Sequence, residues 1–331
     1  MIGDSHTKLN FKSENDKIYP LKVKWFEKGL RVLEADEKYK EILGLKLIAI
    51  NNISIEEIIH KLKILFPHQN MQWFKYQLSD VIIHEKVLQF IGINKVNYWT
   101  FEDDNGQKIQ VKIVPIQYKK ASKINMVKLD IKVPEHLQKP ENSYDQYWYK
   151  MIPDKQIIYW QYNICVDRSD TGDENTPDFM EFVHHLIDDL NNEEVKTLII
   201  DLRKNRGGNS LWMKRFIDVL TYNSTFLNNG KIYVLIGKET FSSGLMAAVD
   251  LKDKLNAKLV GEETGGDLNA PGEIKLANLP NSNMTFYYST KLFHLKPNET
   301  GGLKPDIEVQ QHFNLFVNGI DEPFETILKL K

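Results

Sequence analysis

Ile232-Tyr233-Val234-Leu235-Ile236 is an apolar run followed by Thr240-Phe241-Ser242-Ser243-Gly244, and a helix-patterned stretch starts at Leu245. A strand that turns into a helix pushes the hydroxyl of a serine at the turn out of the sheet. It also leaves the first backbone N–H groups of the helix without intrahelical partners. That geometry suits a nucleophile beside an oxyanion site. Ser-Ser-Gly ahead of a helix is most often a plain N-cap, so the weight falls on what surrounds it.

Working outward, the same alternation repeats. Ile157 to Val166 reads as a strand, and Thr176-Pro177 caps a helix with apolar Phe179, Phe182, Val183, Leu186 and Leu190 at helical spacing. Thr197 to Leu202 is a buried strand that ends in the glycine loop Asn205-Arg206-Gly207-Gly208-Asn209, and Ser210 opens a helix through Leu220. Lys258 to Gly261 is a further strand, and Ile274–Leu276 and Met284–Tyr288 flank a hairpin turn at 279–283. Strands alternating with helices imply an α/β layer structure on a largely parallel sheet.

The chain before the Pro/Asn/Lys-rich link Pro134–Ser143 has a different character. Tyr19–Phe26, Gly29–Leu33 and Leu45–Ile50 read as short strands, and Ser54 with Glu57 forms a capping box on the amphipathic helix from Ile55. Asp103-Asp104-Asn105-Gly106 is a hairpin turn between two strands. The predicted organisation is an N-terminal segment 1–15 around Asp4-Ser5-His6-Thr7, a small strand-rich domain over 16–115, and an α/β core over 116–331.

Composition narrows the function. The 331 residues are 42% hydrophobic, which implies a globular chain, long enough for two domains or one domain plus an insertion. The 43 basic and 45 acidic residues leave a formal charge of −2, so no basic field points to nucleic acid. The single cysteine, Cys165, excludes an internal disulfide and a cysteine-built zinc site, and it reads as a small core residue. His184-His185 cannot share a helix face, and the other histidines follow no ligand spacing, so no metal and no cofactor are implied. No run approaches 18 apolar residues and the start lacks a signal pattern, so no membrane span or export signal is expected within these residues.

Two loops carry the chemistry. Gly207-Gly208 lets the backbone approach a substrate closely, and Ser242 with the Ser243 N–H comes off the next strand. A hydroxyl nucleophile with backbone donors from two loops is what acyl transfer needs.

Here the chain resembles the tail-specific, C-terminal-processing serine peptidases, whose relatives include the tricorn core protease and the repeats of interphotoreceptor retinoid-binding protein. Asp201-Leu202-Arg203-Lys204-Asn205-Arg206-Gly207-Gly208 is similar to the family's strand-loop, and Thr240 to Gly244 falls at its nucleophile turn. Gly261 to Gly266 and Gly302-Leu303-Lys304-Pro305-Asp306 are similar to later family segments. The resemblance implies a crotonase-like/ClpP-like core of ββα units with an inserted PDZ-like domain. Processing peptidases pair the serine with a lysine about 25 positions on. Here Asp267 stands at that position, which points instead to the tricorn-like branch with a histidine base. By that resemblance Ser242 is the nucleophile, His6 the general base, and Glu299, acting through Ser5, the orienting acid. The N–H groups of Ser243 and of Gly207 or Gly208 hold the oxyanion, with the two glycines undecided.

Adjacent residues on a strand face opposite ways, so Ser5 and His6 serve one site only where the backbone bends. His6 is expected to be held by strand pairing. The expected partner is a peptide or protein substrate cut by an endopeptidase. The rivals are a catalytically silent binder of peptide or hydrophobic ligand on the same fold, an acyl-CoA enzyme, and a scaffold acting through the PDZ-like module. Neither oligomeric state nor compartment follows from the sequence.

Overall fold

The computed structural model describes residues 3–10, 16–192, 194–281 and 284–330. Two residues of the expected hairpin turn, Ser282 and Asn283, and seven of the fifteen residues of the expected N-terminal segment (1, 2 and 11–15) lie outside them. The fold is mixed α/β and divides into two compact units, Met1–Ile131 with Pro271–Lys291, and Lys132–Ala270 with Leu292–Lys331.

The first unit is built on a seven-stranded antiparallel sheet. Its strand Leu21–Phe26 alternates buried Leu21 and Val23 with exposed Lys22 and Lys24, the period of a half-buried strand. Ser54 Oγ accepts the Glu57 N–H at 3.2 Å and caps helix Ile55–Lys63. At the tight hairpin, Asp103 Oδ1 accepts the N–H groups of Asn105 (2.9 Å) and Gln107 (2.8 Å), and Gly106 takes φ +83°. The sequence put a boundary near 115, but strand Met126–Lys128 pairs antiparallel with Gly29–Asp36, so the unit extends to Ile131. Helices Met71–Val81 and Glu85–Phe90 add to the strands and the one helix expected for this unit. A separate three-stranded sheet pairs Lys8–Asn10 with Met284–Leu292 and that strand with Pro271–Leu279.

The second unit is a six-stranded sheet in the order β1 (Tyr147–Ile152), β2 (Ile157–Tyr162), β3 (Thr197–Asp201), β4 (Lys231–Ile236), β5 (Lys258–Gly261) and β6 (Ile307–Glu308). Only β1 runs antiparallel to its neighbour. Helices α1 (Phe179–Leu190), α2 (Leu211–Asn223) and α3 (Ser243–Leu255) fill the β2–β5 crossovers, and α4 (Glu322–Lys329) follows β6. Strands covered on both faces are apolar throughout. Ile158, Trp160, Leu198 and Ile200 join a core with α1, α2 and α3, while Tyr159, Ile199, Tyr233 and Leu235 join a second core with Phe324 and Ile327 of α4.

The cap of α1 differs from the expected Thr176-Pro177. Asp178 accepts the Glu181 N–H at 3.0 Å, and the Thr176 hydroxyl instead bonds to Thr171. Likewise Asn209, not Ser210, supports the start of α2, accepting the Leu211 N–H at 3.0 Å. Among the described residues no helix is long and apolar enough to cross a membrane.

Candidate active site

In the second unit, β3 and β4 are neighbouring parallel strands, and the loops leaving their carboxyl ends carry the glycines and the serine. Ser242 stands at the N-cap of α3 with φ 50° and ψ −125°, a backbone region that L-residues avoid. Its side chain makes no capping hydrogen bond, so the commonest reason for a serine there does not apply.

The turn around Ser242 is held from below. Fully buried Thr240 donates its hydroxyl to Leu202 O at 2.9 Å and accepts the Gly237 N–H at 3.0 Å. The Phe241 N–H donates to Asn205 O at 3.0 Å. Gly244 is a glycine because Asn205 passes over it: a Cβ there would lie 2.5 Å from Asn205 O and 2.7 Å from its Oδ1.

Asn205 also settles the orientation of the glycine loop. It is fully buried; its Nδ2 donates to Tyr162 O at 2.9 Å, and its Oδ1 accepts the Gly207 N–H at 2.9 Å. The Cys165 N–H donates to Gly207 O and the Asn209 N–H to Cys165 O, at 2.9 and 2.7 Å. Gly207 N–H is thus consumed internally, while Gly208 N–H has no hydrogen-bond partner among the described residues. The Ser243 hydroxyl donates to Gly208 O at 2.6 Å and ties the two loops together. The Ser243 N–H belongs to the first turn of α3, whose donors have no partner within the helix. Outside the loop, Asp170 accepts Asn209 Nδ2 at 2.8 Å and the Trp212 indole N–H at 2.6 Å.

A buried charged cluster at the root of this loop was not foreseen. Arg203 reaches Asp201 through Nε (3.0 Å) and Nη2 (2.6 Å), and Asp321 through Nη1 (2.7 Å) and Nη2 (2.6 Å). Tyr159 donates its hydroxyl to Asp201 at 2.5 Å, and His136 Nε2 lies 3.0 Å from Asp321. Burial would raise the Asp321 carboxyl, but Arg203 and His136 outweigh it and hold the group well below the usual carboxylate range. Asp201 and Arg203 stand in the quoted strand-loop without a role in that reading, and nothing local marks Asp321 or His136 as their partners.

Glu299 is exposed on a loop of the second unit. Its N–H donates to Lys296 O at 3.0 Å and its carbonyl accepts Asn269 Nδ2 at 2.7 Å. Glu263, a residue without an expected role, accepts the Gly302 N–H at 3.0 Å. Asp267, at the position of the absent lysine, bridges to Gly302.

Ser5 and His6 belong to the first unit and lie in a turn, not in a strand. The Thr7 N–H donates to Asp4 O at 3.2 Å, and Asp4 Oδ1 accepts the His6 N–H at 3.0 Å and the Ser289 hydroxyl at 2.9 Å. Strand pairing begins only at Lys8, so a side-chain-stapled turn holds His6 where pairing was expected. The bend removes the constraint that adjacent side chains face opposite ways. Ser5 Oγ accepts the Gln69 N–H at 3.0 Å. His6 is only 9% exposed; burial lowers its pKa below the ordinary 6.5, against the Asp4 carboxylate 3.8 Å away and a hydrogen bond with the Pro271 backbone, which raise it.

Residues 213–309 match the model of Peptidase family S41. Among solved structures, mature CPAF complexed with lactacystin is similar at a TM-score of 0.68 and 14% identity, covering 99% of this chain and 85% of that one. Mature CPAF is similar at a TM-score of 0.66 and 14% identity, covering 99% and 84%. At that identity the likeness is one of fold. No curated protein matches the chain. The resemblance to S41 peptidases drawn from the motifs is borne out.

Proposed function

We propose, for a chain that matches the S41 peptidase model over 213–309, that it is a serine peptidase acting through Ser242, with a crotonase-like core to which the segment around His6 belongs and a PDZ-like module inserted over 16–115. The observation that carries this reading is Ser242 itself: a strained backbone at a strand-to-helix turn and a hydroxyl not spent on capping. Structural strain of this kind persists where the surroundings enforce it, and here Thr240, Phe241 and Gly244 do so.

In the proposed reaction Ser242 Oγ attacks the carbonyl carbon of a peptide bond and its proton passes to His6. The tetrahedral oxyanion is held by the N–H groups of Ser243 and Gly208; Gly208 is preferred over Gly207 because the Gly207 N–H is committed to Asn205. His6 then gives the proton to the leaving amine nitrogen, leaving an acyl ester on Ser242 that water hydrolyses by the reverse proton path. A base must be neutral to accept a proton, and the lowered His6 pKa keeps it so near neutrality. Glu299, through the Ser5 hydroxyl, is the proposed orienting acid; Ser5 accepts from Gln69 and retains its own proton to donate.

The test is reaction of the full chain with a fluorophosphonate probe. Labelling abolished by Ser242→Ala and strongly slowed by His6→Ala supports the assignment. A folded wild-type protein that does not label overturns it in favour of a silent binder.

A further inference from the structure

We infer that Asp321, backed by His136, is a positioning residue that sets the oxyanion loop through Arg203; the inference rests on the serine-peptidase reading above. Arg203 begins the loop that ends at Gly208, and its guanidinium is gripped from two sides. One carboxylate, Asp201, comes from the end of its own strand. The other, Asp321, is 118 positions away at the N-cap of α4, where it also accepts the Phe324 N–H at 3.4 Å. Asp201 and Asp321 are 2% and 5% exposed, so both charges are almost fully withdrawn from water. The two-oxygen grip of Asp321 on Nη1 and Nη2 fixes the plane of the guanidinium as well as its position. The peptide between Asp201 and Arg203 presents Leu202, whose carbonyl receives the Thr240 hydroxyl two residues before Ser242. One clamp therefore reaches both the loop that offers Gly208 N–H and the turn that offers Ser242.

His136 holds Asp321 from behind. It is 4% exposed, its Nε2 lies 3.0 Å from Asp321 Oδ2, and its ring stacks on Phe324 at 3.6 Å and 7°. A carboxylate–guanidinium–carboxylate arrangement whose carboxylates are buried and whose guanidinium is mostly so is a poor device for stability, since well-packed apolar side chains often do as well. What it supplies that they do not is a fixed fork geometry at the root of a loop whose catalytic use depends on a single N–H direction.

The test compares wild type with Asp321→Asn, which keeps a capping oxygen for α4, in the full chain. Labelling of Ser242 by the fluorophosphonate should slow about 10- to 100-fold, the effect of misplacing reacting groups by about an ångström. With a peptide substrate kcat should fall while KM stays within about twofold, a split that loss of fold would not give. Amide exchange over 202–209 should quicken while α1 is unchanged. His136→Gln, a milder change should Asp321→Asn fold poorly, should slow labelling about fivefold, one hydrogen bond's worth. Wild-type labelling with an unslowed, folded Asp321→Asn overturns this inference and leaves the peptidase reading intact. If the wild type does not label, the peptidase reading falls, and unchanged exchange over 202–209 in Asp321→Asn then overturns the clamp as well.

Discussion

Gly207→Ala probes the packing of the glycine loop against Ser242 directly. Gly207 has φ +116°, and an added Cβ would stand 2.8 Å from Ser242 Cβ and 3.1 Å from both Ser242 Oγ and Ser243 N. Two penalties combine. Holding a non-glycine residue in that backbone region costs about 1–3 kcal/mol. Forcing a methyl group into a filled contact costs about another 1–3 kcal/mol. The expected loss is about 2–6 kcal/mol, and at about 2–4 °C per kcal/mol for a domain of this size the melting temperature falls by roughly 4–24 °C. The functional loss is separable from it. The clash is with the serine side chain and the following N–H, so relief moves the nucleophile or the donor, and about an ångström of displacement costs roughly 100-fold in rate. The assay is fluorophosphonate labelling well below the variant's melting temperature, with Gly237→Ala as control. At Gly237 the nearest atom to an added Cβ is Arg203 Cγ at 3.8 Å, ordinary contact, so that variant should behave as wild type. A Gly207→Ala protein with unchanged melting temperature and labelling rate would refute the packing described for this loop.

Burial holds the His6 pKa below 6.5, so the low-pH limb of kcat/KM should have its midpoint below that value and should vanish in His6→Ala; a limb centred above 6.5 speaks against His6 as base. The same shift sets a stability trend: as pH falls from 6.5 through the lower folded-state value, the unfolded chain takes up the proton first. The His6 contribution is therefore complete above 6.5 and is lost below it, which urea titrations of wild type against His6→Gln at two pH values measure. Cys165 is 1% exposed and its thiol is pushed up to about 11 by burial, which outweighs its hydrogen bond to Asn205, so a disulfide reagent should react only on unfolding. Rapid modification of the native protein would contradict that burial.

Much of the second unit was legible because its strands are buried on both faces and its helices carry one apolar stripe; Leu198–Ile200 and Ile232–Ile236 are unbroken apolar runs. The serine turn was legible for the same reason, as the break between a continuous and a periodic apolar pattern. Caps were less so, since Thr176, Asp178, Asn209 and Ser210 all offer an oxygen near a helix start, and the choice between them depends on the path of the incoming chain. The end of the first unit near Ile131 was hidden because Met126–Lys128 is only three residues long and its partner lies about ninety positions earlier in the chain.

The choice between Gly207 and Gly208 shows where local pattern stops being informative. Both have positive φ, at +116° and +125°, and both meet neighbours too close to admit a Cβ. What separates them is the direction of one N–H, set by the side-chain oxygen of Asn205, whose amide is itself held by Tyr162 O from another strand. The donor that faces outward is thus decided by a chain of hydrogen bonds across β2 and β3. Asn205→Asp tests this, because a carboxylate can still accept from Gly207 but cannot donate to Tyr162 O. The loop should keep its turn and lose its anchor, with slower labelling of Ser242 and a stability lowered by more than the roughly 1–3 kcal/mol of a buried unpaired carbonyl, since the new carboxylate is buried as well. Wild-type labelling in that variant would show that the Gly208 N–H does not depend on Asn205 for its aim.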